Sequence, residues 1–161
     1  MKVVRKLLAP LLVVGILLTS LISLHQLKAD KKKDVFRIGI SQFITHQSLD
    51  ATREGFVDEL AKQGYVEGEN IEIDFQNAQG EQRNLKTISQ QLAESSDVVL
   101  AIATPSAQSL ANTTQTTTVI FSAVTDPVSA KLVESREHPG GNVTGTSDQS
   151  SDAISTQINL I

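Results

Sequence analysis

The segment Asp97 to Ala103, DVVLAIA, followed directly by Thr104-Pro105-Ser106, decides the fold class of this chain. A continuously apolar run of this length fits a strand covered on both faces, as the strands of a parallel sheet are. A second such run, Val119 to Val124 (VIFSAV), leads into Thr125-Asp126-Pro127. In both places a potential capping residue precedes a proline, the arrangement that starts a helix. Two buried strands, each feeding a helix whose N-terminus opens on the same sheet edge, are therefore predicted.

Upstream, Val35 to Ile40 (VFRIGI) reads as the first strand and Ser41 to Ser48 as a polar loop. Ser48 or Asp50 can cap the helix that follows, on which Leu49, Phe56, Val57, Leu60 and Ala61 fall on one face. Gly64, which tolerates positive φ, is placed to end it. Asn70 to Phe75 alternates Ile71, Ile73 and Phe75 with Glu72 and Asp74, the pattern of an edge strand with one wet face. Glu81 to Glu94 sets Leu85, Ile88 and Leu92 on one side of a helix, another helix starts at Pro105, and Thr113 to Thr118 reads as a loop leading into the next strand. Alternating strands and helices of this kind are βαβ units. The fold class is α/β, a parallel sheet with helices on both faces, with residues 35–147 as one lobe.

Composition sets outer limits. The chain has 161 residues, of which 40% are hydrophobic and 20% charged, enough for one globular domain. It has no cysteine, which excludes disulfides, thiolate metal sites and cysteine nucleophiles. Seven of the 14 Lys and Arg residues lie at or before Lys33, opposed there only by Asp30. The remainder carries seven basic and 17 acidic residues, a net charge of −10, which argues against a nucleic-acid partner because phosphate neutralisation needs a basic face.

The basic excess belongs to the N-terminus. Met1 to Lys6 is a short basic stretch and Leu7 to Leu24 an uncharged, mostly aliphatic run, together an export signal. The run is longer than the apolar stretch of about 7–15 residues in a cleaved signal and borders on the ~17–25 that span a bilayer. Residues 1–29 thus read as a signal peptide or an uncleaved membrane anchor, and residues 30–34 as a linker. The product is exported, either anchored at the extracellular face of the cell membrane or secreted.

Ligands of open parallel sheets bind outside the carboxyl ends of the strands, where helix N-termini favour an anion. Here a carboxylate can be held by the backbone N–H groups of Ser106 and Ala107 with the hydroxyls of Thr104 and Ser106, faced by Thr125 and the Ala123 carbonyl. Plain helix capping accounts for the same residues. The loop after the first strand adds Gln42, Phe43, His46 and Gln47 on this edge, His46 as a ligand contact or a solvated histidine. No nucleophile elbow, phosphate loop or GxGxxG occurs, and three scattered histidines have no metal spacing. Nothing points to an enzyme, a cofactor or a metal.

Taken together, IGISQFITHQSLDATREGF (38–56), GYVEGENI (64–71), AIATPSAQSLAN (101–112), VIFSAVTDPV (119–128) and PGGNVTGTSD (139–148) resemble the substrate-binding proteins of ABC importers. The resemblance is to the family that includes binders of tryptophan and other aromatic amino acids. It implies a type I periplasmic-binding fold, two α/β lobes hinged over a small ligand, with an ABC permease and ATPase as partners. It also implies that the first lobe holds an amino acid's carboxylate and ammonium through the loops carrying Thr104 to Ser106 and Ala123 to Thr125. Val143 to Gly145 would begin the crossing to the second lobe, with Thr146, Ser147 and Asp148 at the cleft. Asp148 is the candidate partner of the ammonium and Asp126 the alternative, although its position before Pro127 favours a cap; Phe43 is the one aromatic near the cleft. Family members are longer, so residues 148–161 read as a hinge and the start of a truncated second lobe. A chain with one cleft wall is expected to be incomplete and to bind weakly by itself. A membrane-anchored extracellular sensor or interaction module is the alternative function.

Overall fold

A computed structural model describes residues 35–148. The expected signal or anchor, the linker and the start of a second lobe beyond residue 148 lie outside the described residues. Five strands, β1 (Phe36–Gln42), β2 (Ile71–Asn77), β3 (Val98–Ile102), β4 (Thr118–Val124) and β5 (Val143–Ser147), form one sheet in the order β2-β1-β3-β4-β5. Every neighbouring pair is parallel. The helices are α1 (Gln47–Lys62), α2 (Gln82–Ser95) and α3 (Thr104–Thr113).

Alternation along the strands divides the core into two layers. Ile38, Ile40, Ile71, Leu100 and Ile102 meet the half-buried Leu49, Phe56, Val57 and Leu60 of α1 on one face. Val99, Ala101, Val119 and Phe121 meet Leu85, Ile88 and Leu92 of α2 and Leu110 of α3 on the other. The α/β class, the wet edge strand β2 and the doubly covered β3 are as the sequence predicts. Gly39 allows the close approach of α2: a Cβ there would lie 2.7 Å from Ser96 Oγ and 3.2 Å from Leu92 Cδ2.

Several boundaries differ from expectation, each for a local reason. β1 runs on through Ser41 and Gln42, because both keep partners on either side, Ala101 and Ile102 in β3 and Gln76 and Asn77 in β2. The N-cap of α1 is His46, not Ser48 or Asp50: its side chain accepts from the Ser48 N–H. Ala61 faces solvent, off the packed stripe. Gly64 does end the helix, with φ +88; its N–H donates to Ala61 O at 3.0 Å and the Tyr65 N–H to Leu60 O at 2.9 Å. These two bonds satisfy the last carbonyls of α1.

The threonine run divides as predicted. Thr113 closes α3, Thr118 opens β4, and Thr114 Oγ1 accepts from the N–H groups of Thr116 and Thr117 at 3.2 and 3.0 Å. The helix expected after Thr125-Asp126-Pro127 does not form. One helical turn starts, with Ala130 N–H donating to Asp126 O at 3.0 Å, and then Lys131 adopts φ +58, which no α-helix continues through. The segment folds into a turn whose Leu132 joins the α2–α3 core.

Leu92 is fully buried between α2 and the sheet. Leu92→Ala is expected to lower stability by about 2–5 kcal/mol, whereas Gln90→Ala on the exposed side of α2 stays within ~0.5 kcal/mol. Urea unfolding of the two variants measures the difference.

Candidate functional site

Because all five strands run the same way, their carboxyl ends share one edge, and four of them bring candidate residues to it. Gln42 ends β1, Ala103 to Ala107 follow β3, Ala123 and Val124 end β4 with Thr125 and Asp126 after them, and Asp148 follows β5. Backbone bonds tie these exits together: Ala103 N–H donates to Ser122 O at 3.0 Å and Asp148 N–H to Val124 O at 3.3 Å. Ser147 Oγ donates to Thr125 O at 2.8 Å.

The N-cap of α3 is Ala103, with no side-chain capping bond, so Thr104 is the first helical residue and not the cap that the sequence suggests. Ala103 has φ 78 and ψ 153, a region that costs an alanine about 1–3 kcal/mol. Ala123, on the adjacent strand where the β4–β5 register shifts, has φ 55. Two strained alanines thus flank the point where the backbone leaves the sheet. Pro105 brings no N–H, and the other donors of a helix's first turn lack intrahelical acceptors.

Buried oxygens without hydrogen-bond partners gather at this edge. Ser41 Oγ, Ser106 Oγ and Gln42 Oε1 are all in this state, in residues that are 0% exposed. An unsatisfied buried group costs about 1–3 kcal/mol. Ser106 lies on the buried side of α3 with Ala107 and Leu110, and Ser41 neighbours Ala101 across the β1–β3 ladder. Ser41 was not among the sequence candidates, since it reads as loop until its strand pairing is known.

The remaining candidates separate by what already holds them. Asp126 accepts from Ser129 Oγ at 2.6 Å and from the N–H groups of Ser129 and Val128 at 3.1 and 3.2 Å. The Ser129 hydroxyl, then the Ser129 N–H, hold its carboxyl below the usual carboxylate range, with smaller help from the Val128 N–H and Arg136 against a small opposing effect of burial. It is a turn cap, with both carboxylate oxygens engaged in its own turn. Asp148 is exposed at the end of β5. His46 Nδ1 caps α1, 3.3 Å from Ser48 N and 2.8 Å from Ser48 Oγ. Phe43 is half-buried against the α2–α3 core layer, and Thr125 is exposed.

Grooves elsewhere do not compete for this chemistry. One of about 460 Å³, lined by Arg37, Glu72, Asp74, Ser95 and Ser96, lies toward the amino-terminal ends of β1 and β3 and includes none of the candidate residues. No group of three or more metal-ligating side chains occurs among the described residues.

The sequence profile of ABC transporter substrate binding proteins matches residues 37–161. The chain belongs to this family. A tyrosine-binding protein of Clostridioides difficile (strain R20291) is 49% identical over 122 residues, covering 75% of this chain and 35% of that protein. Among solved structures, the ligand-free, open form of a Clostridium difficile substrate-binding protein with adhesive properties is 46% identical, with a TM-score of 0.73 over 78% of this chain and 43% of that one. The ABC domain of Streptococcus pneumonia in complex with L-Trp is 45% identical, with a TM-score of 0.69 over 72% and 39%. The chain therefore spans less than half the length of the relatives it matches.

The Asp126 turn has a pH signature. A carboxyl whose pKa is lowered by folding contributes stability above its unfolded value, and that contribution is lost as pH falls through the folded value. Asp126→Ala is expected to lower the thermal midpoint at neutral pH and to match the unaltered chain once the pH lies below the carboxylate range. A midpoint difference that persists in acid would contradict this account of the turn.

Proposed function

We propose that the chain is the ligand-binding part of an extracytoplasmic solute-binding protein that takes up an aromatic amino acid and presents it to an ABC permease and its ATPase. The observation that carries the reading is the buried, unpaired pair of serine hydroxyls, Ser41 and Ser106, at the edge where α3 begins. A helix N-terminus favours an anion, and a ligand carboxylate is the group that suits this set of donors. In this reading the carboxylate meets Thr104 and Ser106, while the Ala123 carbonyl and Thr125 face it from β4; the Ala107 N–H that the sequence also suggests is taken by Ala103 O at 3.1 Å. Asp148 receives the ammonium, since the carboxylate of Asp126 is already occupied by its own turn. Gln42, Phe43 and His46 border the site on the β1 side.

An aromatic side chain is favoured because one similar protein is named for tyrosine binding and another was solved with L-Trp. The role is binding rather than catalysis. The N-terminal segment serves as the export signal or membrane anchor, which leaves the lobe at the extracellular face or secreted. A second reading, an anchored extracellular interaction module, is favoured by the adhesive properties described for a similar structure.

Two measurements test the proposal. Millimolar tyrosine, tryptophan or phenylalanine is expected to raise the thermal midpoint of the chain, because a ligand that binds only the folded state stabilises it; equal midpoints with and without all three would count against an amino-acid site. Ser106→Ala removes an unpaired buried hydroxyl worth about 1–3 kcal/mol of unfavourable burial. It is expected to keep or raise the midpoint of the free chain while reducing the ligand-induced rise. A variant that lost stability yet kept the full rise would remove Ser106 from the site.

A further inference from the structure

The largest polar side chain enclosed at the carboxyl edge is Gln42, fully buried at the end of β1. Its amide nitrogen makes two bonds, donating to Ile44 O at 2.9 Å and to Asp50 Oδ1 at 2.7 Å. Both hydrogens of the amide are thereby used, and its oxygen is enclosed, so Gln42 has no donor left for a ligand. Asp50 lies in the first turn of α1 and holds the same loop a second time, its N–H donating to His46 O at 2.9 Å. The far side of the loop is tied to the segment after β2: Gly80 N–H donates to Phe43 O at 2.8 Å and Asn77 Nδ2 to Thr45 Oγ1 at 3.1 Å.

We infer that Gln42 and Asp50 form a latch that sets the shape of the loop Phe43 to His46, and that both are positioning residues for the ligand rather than contacts. The inference rests on the reading that the amino acid binds at this edge. A loop held in its binding geometry before the ligand arrives spares the ligand the ordering of that loop. A charge-assisted bond that is part-buried is the stronger kind, which suits a single side-chain pair to this task. Asp50 also favours the start of α1 through the helix dipole, so its charge and its hydrogen bond must be separated.

The pair Asp50→Ala and Asp50→Asn separates them, read in the full chain by hydrogen exchange of the Gly80 amide without ligand and by calorimetry with tyrosine. Asparagine keeps an oxygen for Gln42 and removes the charge; alanine removes both. Asp50→Ala is expected to speed Gly80 exchange and to weaken tyrosine binding, each by about tenfold, the equivalent of ~1.4 kcal/mol, with cooperative unfolding retained. Asp50→Asn is expected to lose clearly less than Asp50→Ala in both readouts, because a neutral acceptor keeps the bond in its weaker, uncharged form. Unchanged Gly80 exchange in Asp50→Ala would overturn the latch, and equal effects in the two variants would assign the role to charge at the helix start and overturn it as well. Exchange that responds as expected in a chain that binds none of tyrosine, tryptophan and phenylalanine would support the latch and overturn its link to the ligand, together with the function proposed above.

Discussion

The ladder of β3 constrains everything else in this lobe. The strand is hydrogen-bonded to β1 on one side and β4 on the other, and its alternate residues are buried on opposite faces. With both edges and both faces committed, the crossovers must run over the sheet, α1 on one face and α2 and α3 on the other. Parallel pairing then delivers every carboxyl end to one edge. The site is a consequence of that direction, since the loops after β1, β3, β4 and β5 have no other place to meet.

At that edge the structure departs from the economy of its core. Leu92, Leu110, Val99 and Val119 are fully enclosed by apolar neighbours. A few residues away, Ala103 and Ala123 hold left-handed backbone, and Ser41, Ser106 and Gln42 keep oxygens without partners. Such features persist only where the surrounding ladder fixes them, and they concentrate at sites that hold ligands. The apolar layers built on β3 supply the stability that allows a costly, polar edge.

Most of the fold was legible in the sequence because burial writes a period into it. DVVLAIA reads as a doubly covered strand, and Leu85, Ile88 and Leu92 read as one helix face, without knowledge of any partner. The errors fall where a long-range partner or a single backbone angle decides. Ser41 and Gln42 look like loop residues until their pairing with Ala101 and Ile102 is known. Pro127 looks like a helix start, and only the left-handed Lys131 stops it. The candidate site was legible as an edge, through Thr104-Pro105-Ser106, but not as a set of roles. Asp126 is engaged by Ser129 and Val128 as a cap, and the partnership of Gln42 with Asp50 spans eight residues that the strand-to-helix turn brings together.

The central claim is that the carboxyl edge around α3 is where an aromatic amino acid binds. The most direct test is a two-dimensional amide NMR titration of the chain with tyrosine or tryptophan. The account predicts shifts concentrated at Ser106, Ala107, Ala123 and Thr125, with the amino-terminal ends of β1 and β3 unmoved. Shifts centred instead on the groove of Arg37, Glu72 and Asp74, or no shifts at saturating ligand, would contradict it.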